Sequence, residues 1–187
     1  PSPKSILLVV NSAAPSPFGG YLGEILRAEG LNSYETKELA SLSATDLSQH
    51  QLTILAETPL SAPQASMFAA HVQNGGKLIA MRPDSQLASV FGITSNQGAL
   101  TNPYFKIDNA SVTGAGLTTY TLQIHGLADS YVASPAATSL AQLYSNANTA
   151  TSFPAVISAT YGAGQAAAYA YDLSRAVIFM RQGDSFN

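Results

Sequence analysis

The chain has 187 residues, of which only 10% are charged, with Lys plus Arg 8, Asp plus Glu 11 and a formal net charge of -3; an average soluble domain carries roughly 25% charge. So few scattered cations make no basic patch, which argues against nucleic-acid binding, and the absence of Cys excludes disulfides, zinc ribbons and a cysteine nucleophile. Mean hydropathy is +0.11, yet no apolar run approaches the ~20 residues of a membrane span.

Small residues take the place of the missing charge: 30 Ala, 22 Ser and 14 Thr. Chains rich in Ser, Thr, Ala and Asn and poor in Lys are often parts of exported bacterial proteins, so an extracellular or cell-surface location is expected. Pro1-Ser2-Pro3 reads as the tail of an extended linker. The expectation is a single domain over residues 1–187, excised from a longer multidomain chain. The last residues, Arg181 to Asn187, show no helix or cap signal.

Ile6 to Val10 is a continuous apolar run, as in a strand buried on both faces. Ser16-Pro17 offers an N-cap and a proline at the first helical position. Phe18, Leu22, Ile25 and Leu26 recur at helical spacing, and Gly30 stops the helix. Asn32 to Glu38 reads as a second strand and Ala44 to Ser48 as a short helical turn. Leu52 to Ala56 is the third strand. Ser61 with Gln64 forms a capping box, ahead of a helix whose apolar face is Ala65, Phe68, Ala69 and Val72. Asn74-Gly75-Gly76 ends it, and Lys77 to Met81 is the fourth strand. Asp84 caps a helix carrying Leu87, Ala88, Val90 and Phe91, closed by Gly92. This alternation predicts a parallel α/β sheet.

From about residue 99 helical periodicity disappears. Short strand-prone pieces follow: 104–107, 119–124, 131–133, 140–144, a turn at Asn146 to Thr149, a hairpin of 155–160 with 165–171, and a last strand at 176–180. These read as strands added to the same sheet plus an antiparallel extension.

The order of these pieces resembles the class I glutamine amidotransferase-like superfamily, within it the trehalose-utilisation-like branch. Three stretches carry the resemblance: Ile6 to Asn11 with the helix to Gly30 and the second strand; Gly75-Gly76-Lys77-Leu78-Ile79-Ala80-Met81-Arg82-Pro83; and Pro154-Ala155-Val156 through Tyr161-Gly162-Ala163-Gly164-Gln165 to Asp172. The resemblance implies a flavodoxin-like three-layer sandwich, mainly parallel, with an antiparallel C-terminal extension. It also implies a Cys nucleophile at a strained elbow after the fourth strand, where this chain reads Met81-Arg82-Pro83-Asp84. The glycine pair that would form an oxyanion hole after the third strand is replaced by Glu57-Thr58-Pro59. Glutamine hydrolysis needs nucleophile, base and oxyanion donors together, so the scaffold is expected without the reaction.

Ligands of open parallel sheets sit beyond the carboxyl ends of the strands. Those ends are Asn11-Ser12, Glu57-Thr58 and Arg82-Pro83-Asp84. Arg82 would hold a carboxylate, a phosphate or a sugar hydroxyl pair, or form an internal salt bridge with Glu57 or Asp84. Glu57 would serve as an acid or base with a raised pKa, or pair with Arg82 or cap the Ser61 helix. Asp172 would bind a ligand, or act as a turn residue bonded to local backbone or to Arg175. His125 ends a strand; facing Ser12 or Ser85, it would make a Ser–His pair. No G-x-S-x-G elbow is present. Three scattered His give no metal-ligand cluster, and neither Gly114-Ala115-Gly116 nor Gly162-Ala163-Gly164 reads as a phosphate loop. No cofactor is expected. The favoured function is a non-catalytic module that binds a small polar or carbohydrate-like ligand or neighbouring domains. The alternative is a hydrolase built from Glu57, Arg82, Asp84 and His125.

Overall fold

The computed structural model describes residues 5–183; the linker expected at Pro1-Ser2-Pro3 lies outside the described residues. The first half alternates strand and helix: β1 (Ile6–Val10), α1 (Leu22–Ala28), β2 (Tyr34–Glu38), α2 (Ala44–Ser48), β3 (Leu52–Leu55), α3 (Ala62–Gln73) and β4 (Lys77–Met81). Short 3-10 helices precede α1 (Pro17–Tyr21) and follow β4 (Ser85–Phe91). Then come β5 (Ile93–Thr101), β6 (Tyr104–Ile107), β7 (Leu122–Gln123), β8 (Leu127–Ala133), β9 (Thr138–Asn146), β10 (Thr149–Tyr161), β11 (Gly164–Tyr169) and α4 (Leu173–Gln182).

Nine strands form one open sheet in the order β2-β1-β3-β4-β11-β10-β9-β6-β7. The five strands from β2 to β11 run parallel. From β10 onward every pairing is antiparallel. The protein is therefore an α/β fold whose sheet is parallel over five of its nine strands. β5 and β8 make a separate two-stranded ribbon.

Both faces of the central parallel strands are covered, which is why β1 reads as an unbroken apolar run, whereas the edge strand β2 is polar and largely exposed. Leu7 and Val9 of β1 join Leu47 of α2, Phe68 and Val72 of α3 and Phe91 in one core. Leu8 and Val10, on the opposite face, meet Leu22 of α1, with Leu173 of α4 packed alongside. Phe68 is wholly buried, a burial that stabilises by about 1.5–3 kcal/mol. The predicted caps are in place: Ser61 and Gln64 form a reciprocal capping box, and Asp84 accepts from the Gln86 amide.

The glycines of the Gly162-Ala163-Gly164 turn have a packing cause. A Cβ on Gly164 would fall 2.1 Å from the Val72 carbonyl oxygen and 2.3 Å from that of Gly76. The hairpin thus lies against the end of α3, with the Ala163 amide donating to the Gln73 carbonyl at 2.9 Å.

Two of the differences from the sequence expectation concern whole elements. Residues 176–180 form part of helix α4, not a strand. Their strand propensity is overridden by the Asp172 cap, whose carboxylate accepts from the Arg175 amide. The helix also reaches Gln182, so Arg181 and Gln182 are not irregular. Second, β5 was not anticipated. Its residues are almost all exposed and carry no apolar alternation, so they give no periodic signal.

Candidate functional site

The site lies where the carboxyl ends of β1, β3, β4 and β11 meet the β5–β8 ribbon. Arg82 leaves β4 with φ +39, a left-handed conformation uncommon for any residue but glycine. Such strain costs on the order of 1–3 kcal/mol and persists only where surrounding contacts over-determine it. Here they do so twice. The Arg82 amide donates to the Tyr169 carbonyl of β11 at 2.9 Å. Its guanidinium forks, one nitrogen donating to Glu57 Oε1 at 3.0 Å and the other to Asp129 Oδ1 at 3.0 Å.

The triad is partly buried, with side-chain exposures of 25% for Arg82, 23% for Glu57 and 12% for Asp129. Burial lifts the Glu57 carboxyl above its ordinary range, against the attraction of Arg82; the nearby Asp172 and Asp129 charges push the same way as burial. Burial also opposes the Arg82 cation, but Asp129 and Glu57 outweigh it and hold the proton more firmly than usual. Tyr131 donates its hydroxyl to the second Asp129 oxygen at 3.0 Å. Burial, and then the Asp129 charge, keep that phenol protonated far above the usual range.

The remaining sequence candidates fall around this triad in supporting places. Asn11 donates to the Thr58 hydroxyl at 2.9 Å, tying β1 to β3 where the chain order of the strands reverses direction. Its own Oδ1 accepts from the Ala13 amide. The Ser12 amide donates to Glu38 at 3.1 Å. Asp84 does not pair with Arg82; its oxygens accept from the Leu60 and Gln86 amides at 3.0 and 2.9 Å, which bolts two loops together. Asp172 caps α4 and accepts from Ser174 and, at 3.0 Å, from Ser16. Ser16 stands at the predicted N-cap position but makes no side-chain cap bond to its own helix, turning to Asp172 instead. His125 lies in the bend between β7 and β8. It does not line the crevice around Arg82 and Asp84, whereas Ser85 does.

Sequence reasoning missed Asp129 and Tyr131. A signal existed: Asp129 interrupts the strand-prone run Leu127 to Ala133, and Asp is depleted in strands unless something holds it. The β8 backbone brings it in, its Asp129 amide donating to the Ala170 carbonyl at 2.8 Å.

Beside the triad is a shallow cleft of about 210 Å³ walled by Pro15, Pro59, Glu57, Thr58, Arg82 and Asp129. One guanidinium faces several carboxylates, so the local charge is acidic. That arrangement repels anions and offers hydrogen-bond acceptors to hydroxyls or amines. No group of three or more His, Asp or Glu suited to a metal ion occurs among the described residues. None of the described helices is long and apolar enough to cross a membrane.

No protein-family model matches the chain, and no curated protein matches it. Solved structures do. A β-galactosidase from Bacillus circulans sp. alkalophilus superposes with a TM-score of 0.68 and 17% identity over 97% of this chain and 31% of its own. The exo-β-1,4-mannosidase Op5Man5 from Opitutaceae bacterium strain TAV5 gives 0.67 and 14%, over 94% and 32%. A cytoplasmic protein from Salmonella typhimurium gives 0.64 and 12%, over 90% and 87%. At such identities the likeness is one of fold. The chain spans about three tenths of each of these two glycosidases, and nearly the whole of the Salmonella protein.

Proposed function

We propose that the chain is a non-catalytic, amidotransferase-like module of a larger exported carbohydrate-active protein, and that its Arg82 crevice holds a small neutral polyhydroxylated ligand. The strand order β2-β1-β3-β4-β11 is the flavodoxin-like 2-1-3-4-5 order, which supports the resemblance. The observation that carries the functional reading is the Arg82 elbow. At the strained turn where the resemblance calls for a Cys nucleophile stands a guanidinium whose two terminal nitrogens are held by Glu57 and Asp129. A neutralised cation within an acidic rim suits hydroxyl groups better than carboxylates or phosphates. The likeness to a β-galactosidase and a mannosidase suggests the carbohydrate class.

The hydrolase alternative is weaker. Both Asp84 oxygens hold backbone amides, and the two other carboxylates of the cleft, Glu57 and Asp129, are both engaged by Arg82.

Thermal unfolding with galactose and mannose tests the reading. A ligand at tenfold its Kd stabilises by about 1.4 kcal/mol, or about 3–6 °C in a domain of this size. No shift at tens of millimolar sugar overturns it. Turnover of nitrophenyl glycosides that disappears in Glu57→Gln would replace it with the hydrolase.

A further inference from the structure

We infer that the crevice is a trough of two subsites whose ligand is a chain of at least two sugar units, an inference that rests on the carbohydrate reading above. The cleft beside Arg82 has a neighbour. A second hollow of about 290 Å³ opens on the other side of the wall made by Asp84 and Asp129. Both residues line both clefts.

The second cleft differs in chemistry from the first. Its apolar side is Pro83, Ala88 and Ile93, and its polar side is Ser85, Ser95 and Asn96. The two carboxylates it shares are already engaged, Asp84 by backbone amides and Asp129 by Arg82 and Tyr131. The surface presented is therefore half apolar and half neutral polar. A pyranose ring matches that division, with C–H groups on its faces and hydroxyls around its edge. Asn96 Oδ1 accepts from the Gly98 amide at 3.0 Å, which orients the side chain and leaves its NH2 as a donor.

Size points to two units rather than one. Neither cleft alone reaches the roughly 300–1,000 Å³ of ordinary ligand pockets, but joined across the shared wall they do. The ribbon also makes them one device. β8 contributes Asp129 to both clefts and Tyr131 to the second, while β5 contributes Ser95 and Asn96. This gives the otherwise unpatterned β5 a role.

The test is calorimetric titration of the whole chain with galactose and mannose and with their β-1,4-linked disaccharides, lactose and mannobiose. The better disaccharide is expected to bind about tenfold tighter than either monosaccharide. Ser95→Ala with Asn96→Ala, both on exposed positions of β5, is expected to abolish that gain and leave the monosaccharide Kd within about twofold; tenfold corresponds to 1.4 kcal/mol. If monosaccharides bind and disaccharides bind no tighter, the trough is wrong and the single-site reading stands. If the double variant weakens both ligand classes equally, the trough is again wrong. If no sugar binds at all, both readings fall.

Discussion

The two ends of the parallel strands are built differently. At the amino end, between α2, α3 and the start of β4, lies a hollow of about 670 Å³, with His50, His71 and Lys77 on its walls. Its polar groups serve the fold. His50 Nδ1 bonds the Asp46 carbonyl at 2.7 Å. The His71 ring lies against Gly76, where a Cβ would come within 2.3 Å of it, and burial lowers its pKa. At the carboxyl end the hollows are smaller, yet carboxylates from two separate segments converge on one guanidinium. Volume therefore does not locate the site here. The carboxyl end does, because parallel strands deliver their loops and the N-terminal ends of their helices to that edge.

The largest effect is expected at the amino end. Gly164→Ala forces a Cβ onto two backbone oxygens that cannot rotate away, and should cost about 3 kcal/mol or more in urea unfolding. Gly30→Ala, at φ +80 but in open space, should cost only about 1 kcal/mol. Equal losses would show that the close approach at Gly164 relaxes at little cost.

At the carboxyl end, Arg82→Met leaves Glu57 and Asp129 facing each other without their cation. Loss of one member of a buried pair costs about 3–5 kcal/mol, and partial exposure brings the expectation to about 2–3 kcal/mol. Adding Glu57→Gln and Asp129→Asn should recover much of it. A triple variant no better than Arg82→Met would show that the triad contributes little beyond packing.

Asp172→Ala removes the α4 cap and should cost about 1 kcal/mol, read by thermal unfolding. A loss near zero would mean that Ser16 and Ser174 hold the helix start unaided.

The smallest effects are read in pH. Glu57 has its folded pKa raised above the ordinary 4.5. Its favourable contribution to stability is thus fullest below the unfolded value and is lost as pH rises through the folded one. Glu57→Gln, which leaves Arg82 with Asp129, should be at least as stable as the parent at neutral pH. A clear loss there would reverse the sign. Asp46 is the opposite case. Lys37 first, then Ser43, hold its pKa down at about 2 from 3.8. Its contribution is present above about pH 4 and fades as pH falls towards 2. Lys37→Ala should flatten that acid limb, and an unchanged limb would remove the pair from the balance.

Much of the parallel half was legible from the chain alone. Ile6 to Val10, Lys77 to Met81 and the Ser61–Gln64 box are local patterns whose physics needs no partner. The antiparallel half was legible as strands but not as pairings. Leu122–Gln123 is only two residues of strand within the longer expected piece, and β10 runs six residues before its expected start, through register shifts around Pro154.

For the site, Glu57, Arg82 and Asp84 were visible because each follows a strand end in sequence. That Arg82 pairs with Glu57 and Asp129 rather than with Asp84 was not, since Asp84 finds backbone amides nearer at hand. The lack of a Cys nucleophile and the strand-helix rhythm were readable from the chain, because both depend on residue identity and short-range spacing. That α4 is a helix, that β8 reaches over the end of β11 and that Asp129 completes the triad came from packing. The triad depends on a contact between residues 47 positions apart, and the α4 cap is held by a residue 156 positions away, which strand or helix propensity does not encode.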